Sequence, residues 1–338
     1  MPNDSPAQTG PVRTAGSAGG PQPFDSPDRR DGRVYVMLDE VMLAVNVALA
    51  TGRPLLLRGD PGSGKSSLAP YIARRRGWRY YEHVVTSRTR ATDLLWTYDH
   101  VRRLSDAQVR APGESLADHR YVTPGPLWWA FAPGSAARSG EATRSGPRHS
   151  HREDPFREIN DTRSPHHAVV LIDEIDKAEP DMPNSLLVPL GSNEFTVADT
   201  GEQIRKERSP GETRSAENRH LIIITTNEER ELPQAFLRRC VVAWLPQPDS
   251  GRLVRIAQEH FTHYDEGFTE SDRELAEMLA EELSRARSTA KKQGLRAPST
   301  AEFLDAFRAC RSIGISPADE RWEMLKRLVL LKPQQPDE

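Results

Sequence analysis

The sequence predicts an α/β fold, a five-stranded parallel sheet with helices on both faces, followed by a small all-helical lid domain. Three observations carry this reading. Short, almost continuously apolar runs alternate with helix-compatible stretches, as strands buried on both faces do. One such run leads into Gly59-Asp60-Pro61-Gly62-Ser63-Gly64-Lys65-Ser66, a complete phosphate-binding loop that opens a helix. After Pro246-Gln247-Pro248 the strand-like runs stop and only helical stretches follow.

Taken in order, residues 1–33 hold six Pro and five Gly among small polar residues, and they read as a disordered N-terminal arm. Met37, Leu38, Val41, Met42, Val45, Val47 and Leu49 recur at helical spacing up to Thr51-Gly52. The strand-like runs lie at 55–57, 80–85, 168–172, 221–225 and 240–245, which places an α/β nucleotide-binding core over 34–247. Two polar segments, 133–166 and 199–219, interrupt it. The first reads as a disordered insertion and the second as a hairpin turning at Gly201 with a soft tip. The helical lid spans 248–332, with stretches near 249–262, 271–292, 299–312 and 317–331, and a tail of 333–338. Ser271 with Glu274 and Ser299 with Glu302 have capping-box spacing.

The chemistry concentrates at strand ends. Glycines let backbone N–H groups turn toward phosphate oxygens, and the following helix adds its positive end. The nucleotide cradle is therefore Gly59, Asp60, Pro61, Gly62, Ser63, Gly64, Lys65, Ser66 and Ser67. Lys65 suits the β- and γ-phosphates of a nucleoside triphosphate, and the Ser66 hydroxyl suits Mg²⁺. The run Val169-Val170-Leu171-Ile172 ends in Asp173-Glu174. Asp173 reads as the second Mg²⁺ contact, and Glu174 as the group that orients or deprotonates the attacking water. Leu221 to Thr226 ends at Asn227, an amide placed to reach that water or else simply to start a turn. Arg238-Arg239 precede the last strand and read equally as a solvated helix end or as fingers for a neighbour's γ-phosphate. Trp128, Trp129 and Phe131 read as core packing, with an inserted segment that presents nearby residues to the central channel of a ring as the alternative. Arg74, Arg75, Arg76, Arg79, Arg88 and Arg90 read as a solvated helix end, with a nucleic-acid patch as the alternative.

The succession of phosphate loop, Asp-Glu strand, Asn-ended strand, Arg-Arg and helical lid resembles a P-loop NTPase of the AAA+ type. More narrowly it resembles the MoxR-like group. The segments that carry this are Thr86-Ser87 through Asp93-Leu94-Leu95, Thr123-Pro124-Gly125-Pro126-Leu127-Trp128-Trp129 and Asp173-Glu174-Ile175-Asp176-Lys177-Ala178. The resemblance implies an Mg²⁺-dependent ATPase that assembles into a ring, usually a hexamer, and remodels a protein client, often with a von Willebrand factor A domain partner. It implies inter-subunit fingers at Arg238 or Arg239 and a lid contact to phosphate at Arg296, in Gly294-Leu295-Arg296-Ala297-Pro298-Ser299. The insertion at 133–166 departs from the usual pattern, and its His149, His151, His166 and His167 lack the acidic support of a metal site.

Bulk properties narrow the alternatives. The 338 residues carry 46 Lys plus Arg against 49 Asp plus Glu, a formal charge of −3, so a general polyanion binder is not expected. Arg outnumbers Lys 39 to 7, which composition bias explains most simply, so no phosphate recognition is read from it. Cys240 and Cys310 make no metal spacing, and no apolar run reaches the roughly 18 residues of a membrane span, so a cytoplasmic protein is expected. Two other functions stay open: a nucleic-acid-linked NTPase motor of a restriction- or defence-type system, and a nucleotide-gated scaffold with little turnover. Against the first stands the absence of a Met-Asn-Thr-Ala-Asp run after the Asn strand; against the second stands Glu174.

Overall fold

A computed structural model describes residues 31–109, 116–139, 152–207, 220–264 and 267–330. Helix α1 (Asp39–Thr51) precedes β1 (Leu55–Arg58), and the phosphate loop leads from β1 into α2 (Lys65–Arg76) and β2 (Trp78–Val84). An inserted stretch follows: β3 (Trp96–Tyr98), α3 (His100–Val109), β4 (Val122–Pro124), α4 (Pro126–Phe131), α5 (Pro133–Arg138) and α6 (Arg157–Asn160). Then come β5 (Ser164–Asp173), α7 (Met182–Ser185), α8 (Leu187–Ser192), β6 (Glu194–Thr196), β7 (Gln203–Arg205), β8 (His220–Thr226), α9 (Gln234–Leu237) and β9 (Val241–Trp244). The lid is α10 (Ser250–Tyr264), α11 (Glu270–Gln293), α12 (Thr300–Ile313) and α13 (Trp322–Val329).

Among the described residues five strands form one parallel sheet in the order β2-β5-β8-β1-β9. All five strand-like runs of the sequence are in it. Alternation along the strands splits the core in two. Leu55, Leu57, Val169, Leu171, Leu221 and Ile223 pack against α1 and α2. Leu56, Val170, Ile172, Ile222 and Ile224 pack on the other face with Trp128, Phe131 and Phe236. Each aliphatic side chain that is fully buried here contributes about 1.5–3 kcal/mol relative to exposure. Trp128, Trp129 and Phe131 are all buried, so the packing reading of that cluster stands. The lid has its own core around Leu253, Phe261, Leu279, Phe303 and Phe307.

Several boundaries differ from expectation. Most of the expected N-terminal arm, residues 1–30, lies outside the described residues, as does the tail 333–338. Residues 31–33, assigned to the arm, pack on the core instead. Gly32, at φ +70, lies against the Pro70 carbonyl, and the Tyr264 hydroxyl bonds Asp31. The insertion at 133–166 is not structureless where it is described, because it holds α5, α6 and the start of β5. Apolar, amide and charged groups anchor it together, Arg152 and Arg163 donating to the carbonyls of Val122 and Trp78 and Asp154 accepting from the Tyr81 hydroxyl. Phe156 meets Tyr80 and Tyr81 edge-on, and the buried Asn160 pairs with the Tyr80 backbone through both its amide oxygen and nitrogen. Of 199–219, residues 203–205 are strand β7, antiparallel to β6 around the turn at Gly201; residues 208–219 lie outside the described residues. The cap of α11 is Thr269 with Asp272, two residues earlier than the expected Ser271 with Glu274, whereas the Ser299/Glu302 box caps α12 as expected. No helix among the described residues is long and apolar enough to cross a membrane.

Candidate functional site

The phosphate loop, the end of β5 and the end of β8 meet at the carboxyl edge of the sheet, where ligands of open α/β sheets bind. The loop depends on glycine twice. At Gly59, φ +143, a Cβ would stand 2.3 Å from the Leu245 carbonyl oxygen. At Gly62, φ +74, it would stand 2.3 Å from the Ser299 Cβ, so the loop touches the cap of α12 in the lid. Gly62→Ala therefore combines left-handed strain with a clash. We expect it to lower stability by about 1–3 kcal/mol in a urea titration. An unchanged midpoint would mean that the loop and Ser299 are not in contact in solution.

Lys65 is buried, and its ammonium donates to the carbonyls of Gly59 (2.6 Å) and Asp60 (2.8 Å). Burial lowers its pKa, against the opposing pull of Asp173, Asp60, Asp176 and Glu174. The Ser66 hydroxyl donates to Asp173 Oδ1 at 2.7 Å, and the Thr225 hydroxyl donates to the same oxygen at 2.6 Å. Asp173 is 2% exposed. Thr225, the last but one residue of β8, was not singled out by the sequence; its position one strand over from Asp173 is visible only once the strand order is known. Ser67 lies in the first turn of α2, partly exposed.

Glu174 adopts the left-handed region at φ 61, where a side chain is strained, and this turns its carboxylate away from the strand direction. Its N–H donates to Thr225 Oγ1 at 2.9 Å. One carboxylate oxygen faces the Asn227 amide nitrogen at 3.4 Å, and the other accepts from Lys177 Nζ at 2.7 Å. That bond raises the Lys177 pKa. Ser66, Asp173, Glu174 and Asn227 thus form one connected hydrogen-bonded set beside Lys65.

The arginines stand apart from it. Arg238 and Arg239 are exposed. The Arg239 guanidinium donates to the Ala235 carbonyl at 3.3 Å, and neither makes an ion pair among the described residues. Arg296 is largely exposed and lies 3.9 Å from Glu302, the residue that completes the cap of α12. A lid cation within electrostatic reach of the loop is Arg287, which the sequence reading missed because nothing local marks it. It donates to the carbonyls of Pro298 (2.9 Å) and Pro248 (2.8 Å), and its Nη2 is buried without a partner. Burial lowers its pKa, partly offset by Asp60 of the loop and by Glu302. Of the histidines in and directly after the insertion, His149 and His151 lie outside the described residues, and His167 stacks on Trp78 at 5.0 Å. Among the described residues no three His, Cys, Asp or Glu gather as a metal site.

This donor set fits Mg²⁺ carried in with a nucleotide. One hydroxyl and one carboxylate suit an ion that keeps phosphate oxygens and water as its other ligands. The buried Ser63 hydroxyl, which has no partner, and the loop-directed Lys65 ammonium are matching groups for phosphate oxygens.

No curated protein matches the chain in sequence. Among solved structures, the Thermotoga maritima RuvB Holliday junction branch migration motor is similar at 13% identity and a TM-score of 0.42, over 85% of this chain. The chain spans 66% of the length of that structure's chain. A point variant of the same Thermotoga maritima motor gives 14% identity and a TM-score of 0.41, over 81% of this chain and 60% of that one. Residues 54–240, more than half of the chain, match the AAA domain (dynein-related subfamily). With the phosphate loop, the five-stranded parallel sheet and the helical lid in place, the chain belongs to the dynein-related subfamily of AAA domains, within the AAA+ ATPases.

Proposed function

We propose that this chain is a MoxR-like ATPase subunit that binds Mg·ATP at the phosphate loop, hydrolyses it, and works in a ring, a hexamer in the simplest case, to remodel a protein client. A partner with a von Willebrand factor A domain fits the same reading. Lys65 with the loop amides holds the phosphates, and Ser66 and Asp173 hold the ion, which when bound draws charge from the phosphate oxygens. Glu174 accepts the proton of the attacking water, and Asn227 orients that water beside it. Arg238 or Arg239 completes a neighbour's site. In support of the narrower branch stand the β3–α3–β4 insertion between β2 and β5 and the β6–β7 hairpin ahead of β8.

The observation that carries the shared-site reading is the pair of exposed arginines without a carboxylate partner among the described residues, set against a site in which Lys65 is bonded to the loop and Lys177 to Glu174. Arg238→Ala and Arg239→Ala are tested by mixing each with Glu174→Gln. Each variant alone is expected to bind ATP and turn over slowly, and the mixture with the finger variant is expected to regain turnover. No regain with either would mean that the site is completed within one chain. A nucleic-acid motor remains the second reading. Arg76 lies over the Trp78 ring at 5.2 Å, beside the Trp78–His167 stack, so an aromatic does accompany the basic run. Stimulation of turnover by DNA or RNA with a steep salt slope, and none by protein, would favour it.

A further inference from the structure

Asp176 is only 3% exposed, yet it is a carboxylate, and one of its oxygens, Oδ1, is buried without a hydrogen-bond partner. Its other oxygen accepts two backbone N–H groups of the loop that follows β8: Asn227 at 3.1 Å and Glu229 at 2.9 Å. Between those two residues Glu228 sits at φ 61, so the chain curls and alternate N–H groups converge on one acceptor. Such a turn is an anion-binding nest, here filled by a side chain. Nothing in the strand register places this loop, because the pairing of β8 with β1 ends at Thr226.

Asp176 itself lies in the short turn Ile175–Lys177, which begins directly after Glu174. One carboxylate therefore ties the Asn227 backbone to the segment that carries Glu174. The return tie is Glu174 N–H to Thr225 Oγ1. The two braces together leave the Asn227 amide 3.4 Å from the Glu174 carboxylate. A buried carboxylate with an unsatisfied oxygen is costly, and folding alone gives no reason to prefer it to a packed apolar group. It is compensated by the two N–H groups and lies within electrostatic reach of Lys65 and Lys177.

We infer that Asp176 is a positioning residue for hydrolysis: its Oδ2, by holding the N–H groups of Asn227 and Glu229, sets the distance between the Asn227 amide and the Glu174 carboxylate. The catalytic part of this inference rests on the reading of Glu174 and Asn227 given above. A displacement of about 1 Å at such a pair costs on the order of a hundredfold in turnover.

The test uses the full chain, with Asp176→Ala and Asp176→Asn in wild-type and Asn227→Ala backgrounds. Asp176→Ala is expected to lower kcat by about a hundredfold while the Kd for Mg·ATP stays within about threefold. Asp176→Asn keeps an acceptor oxygen and is expected to retain more of the activity; if the alanine variant does not fold, this one carries the comparison. In the Asn227→Ala background neither substitution should lower kcat further, since both act through the same amide. Hydrogen exchange of the 226–230 segment should quicken in Asp176→Ala. Unchanged exchange, a parallel loss of affinity, or losses that multiply with Asn227→Ala would overturn the positioning role. Wild-type turnover in Asn227→Ala with quickened exchange in Asp176→Ala would leave the loop brace intact and sink the catalytic reading instead.

Discussion

Glu174→Gln is expected to bind Mg·ATP with nearly the affinity of the unmodified chain and to turn it over about a hundredfold to ten-thousandfold more slowly. The substitution is close to isosteric, and a glutamine oxygen can still accept from the Asn227 amide, now 3.4 Å from the carboxylate. What disappears is the acceptor for the water's proton. The amide nitrogen of glutamine would face Lys177 Nζ, which donates at 2.7 Å to the carboxylate, so that contact breaks as donor meets donor. Lys177 lies on the rim of the site rather than beneath the phosphates, and its release should leave affinity alone. Phosphate release and a fluorescent-nucleotide titration on the same preparation separate the two quantities. Undiminished release would remove Glu174 from the mechanism and leave the site without a base.

Lys65→Ala is expected to do the opposite, weakening Mg·ATP binding at least about thirtyfold, which corresponds to the roughly 2 kcal/mol or more lost when one partner of a buried charged contact is removed. The ammonium is buried between the Gly59 and Asp60 carbonyls, with Asp173, Asp176 and Glu174 all acting on its charge. Removing it takes away a cation on which Asp173, 2% exposed, acts directly. Some folding stability should be lost along with affinity. Titration at a temperature well below the variant's own melting point keeps these effects apart. Equal affinity losses in Lys65→Ala and Glu174→Gln would contradict the division between holding phosphate and activating water.

The sequence made the sheet legible because its inner strands β1 and β8 and the second half of β5 are buried on both faces and so read as continuous apolar runs, while the partly buried edge strands β2 and β9 show only as short aromatic or β-branched runs. The phosphate loop and Asp173-Glu174 were legible for a related reason: their chemistry is written in consecutive residues. What the sequence hid depends on approach between distant segments. Thr225 matters because β8 lies beside β5, a fact of strand order rather than of spacing. Arg287 matters because α11 runs past Pro248 and Pro298, and a single arginine in a charged helix carries no local mark. The insertion at 133–166 misled by its composition. Phe156 and Asn160 anchor part of it, one by its ring against Tyr80 and Tyr81 and one by paired backbone bonds, and neither contributes to periodicity. The cap of α11 moved by two residues because Thr269 and Asp272 offer the same spacing as Ser271 and Glu274, and only the geometry distinguishes them.

The roles of Arg238 and Arg239 turn on assembly, and the mass in solution of Glu174→Gln with and without Mg·ATP tests that most directly. A shift on adding nucleotide from a single chain to one discrete closed multiple is expected, because a trapped nucleotide gives a neighbour's arginine a γ-phosphate to bind. A single chain in both conditions, with ATP shown to be bound, would contradict a site shared between copies of this protein.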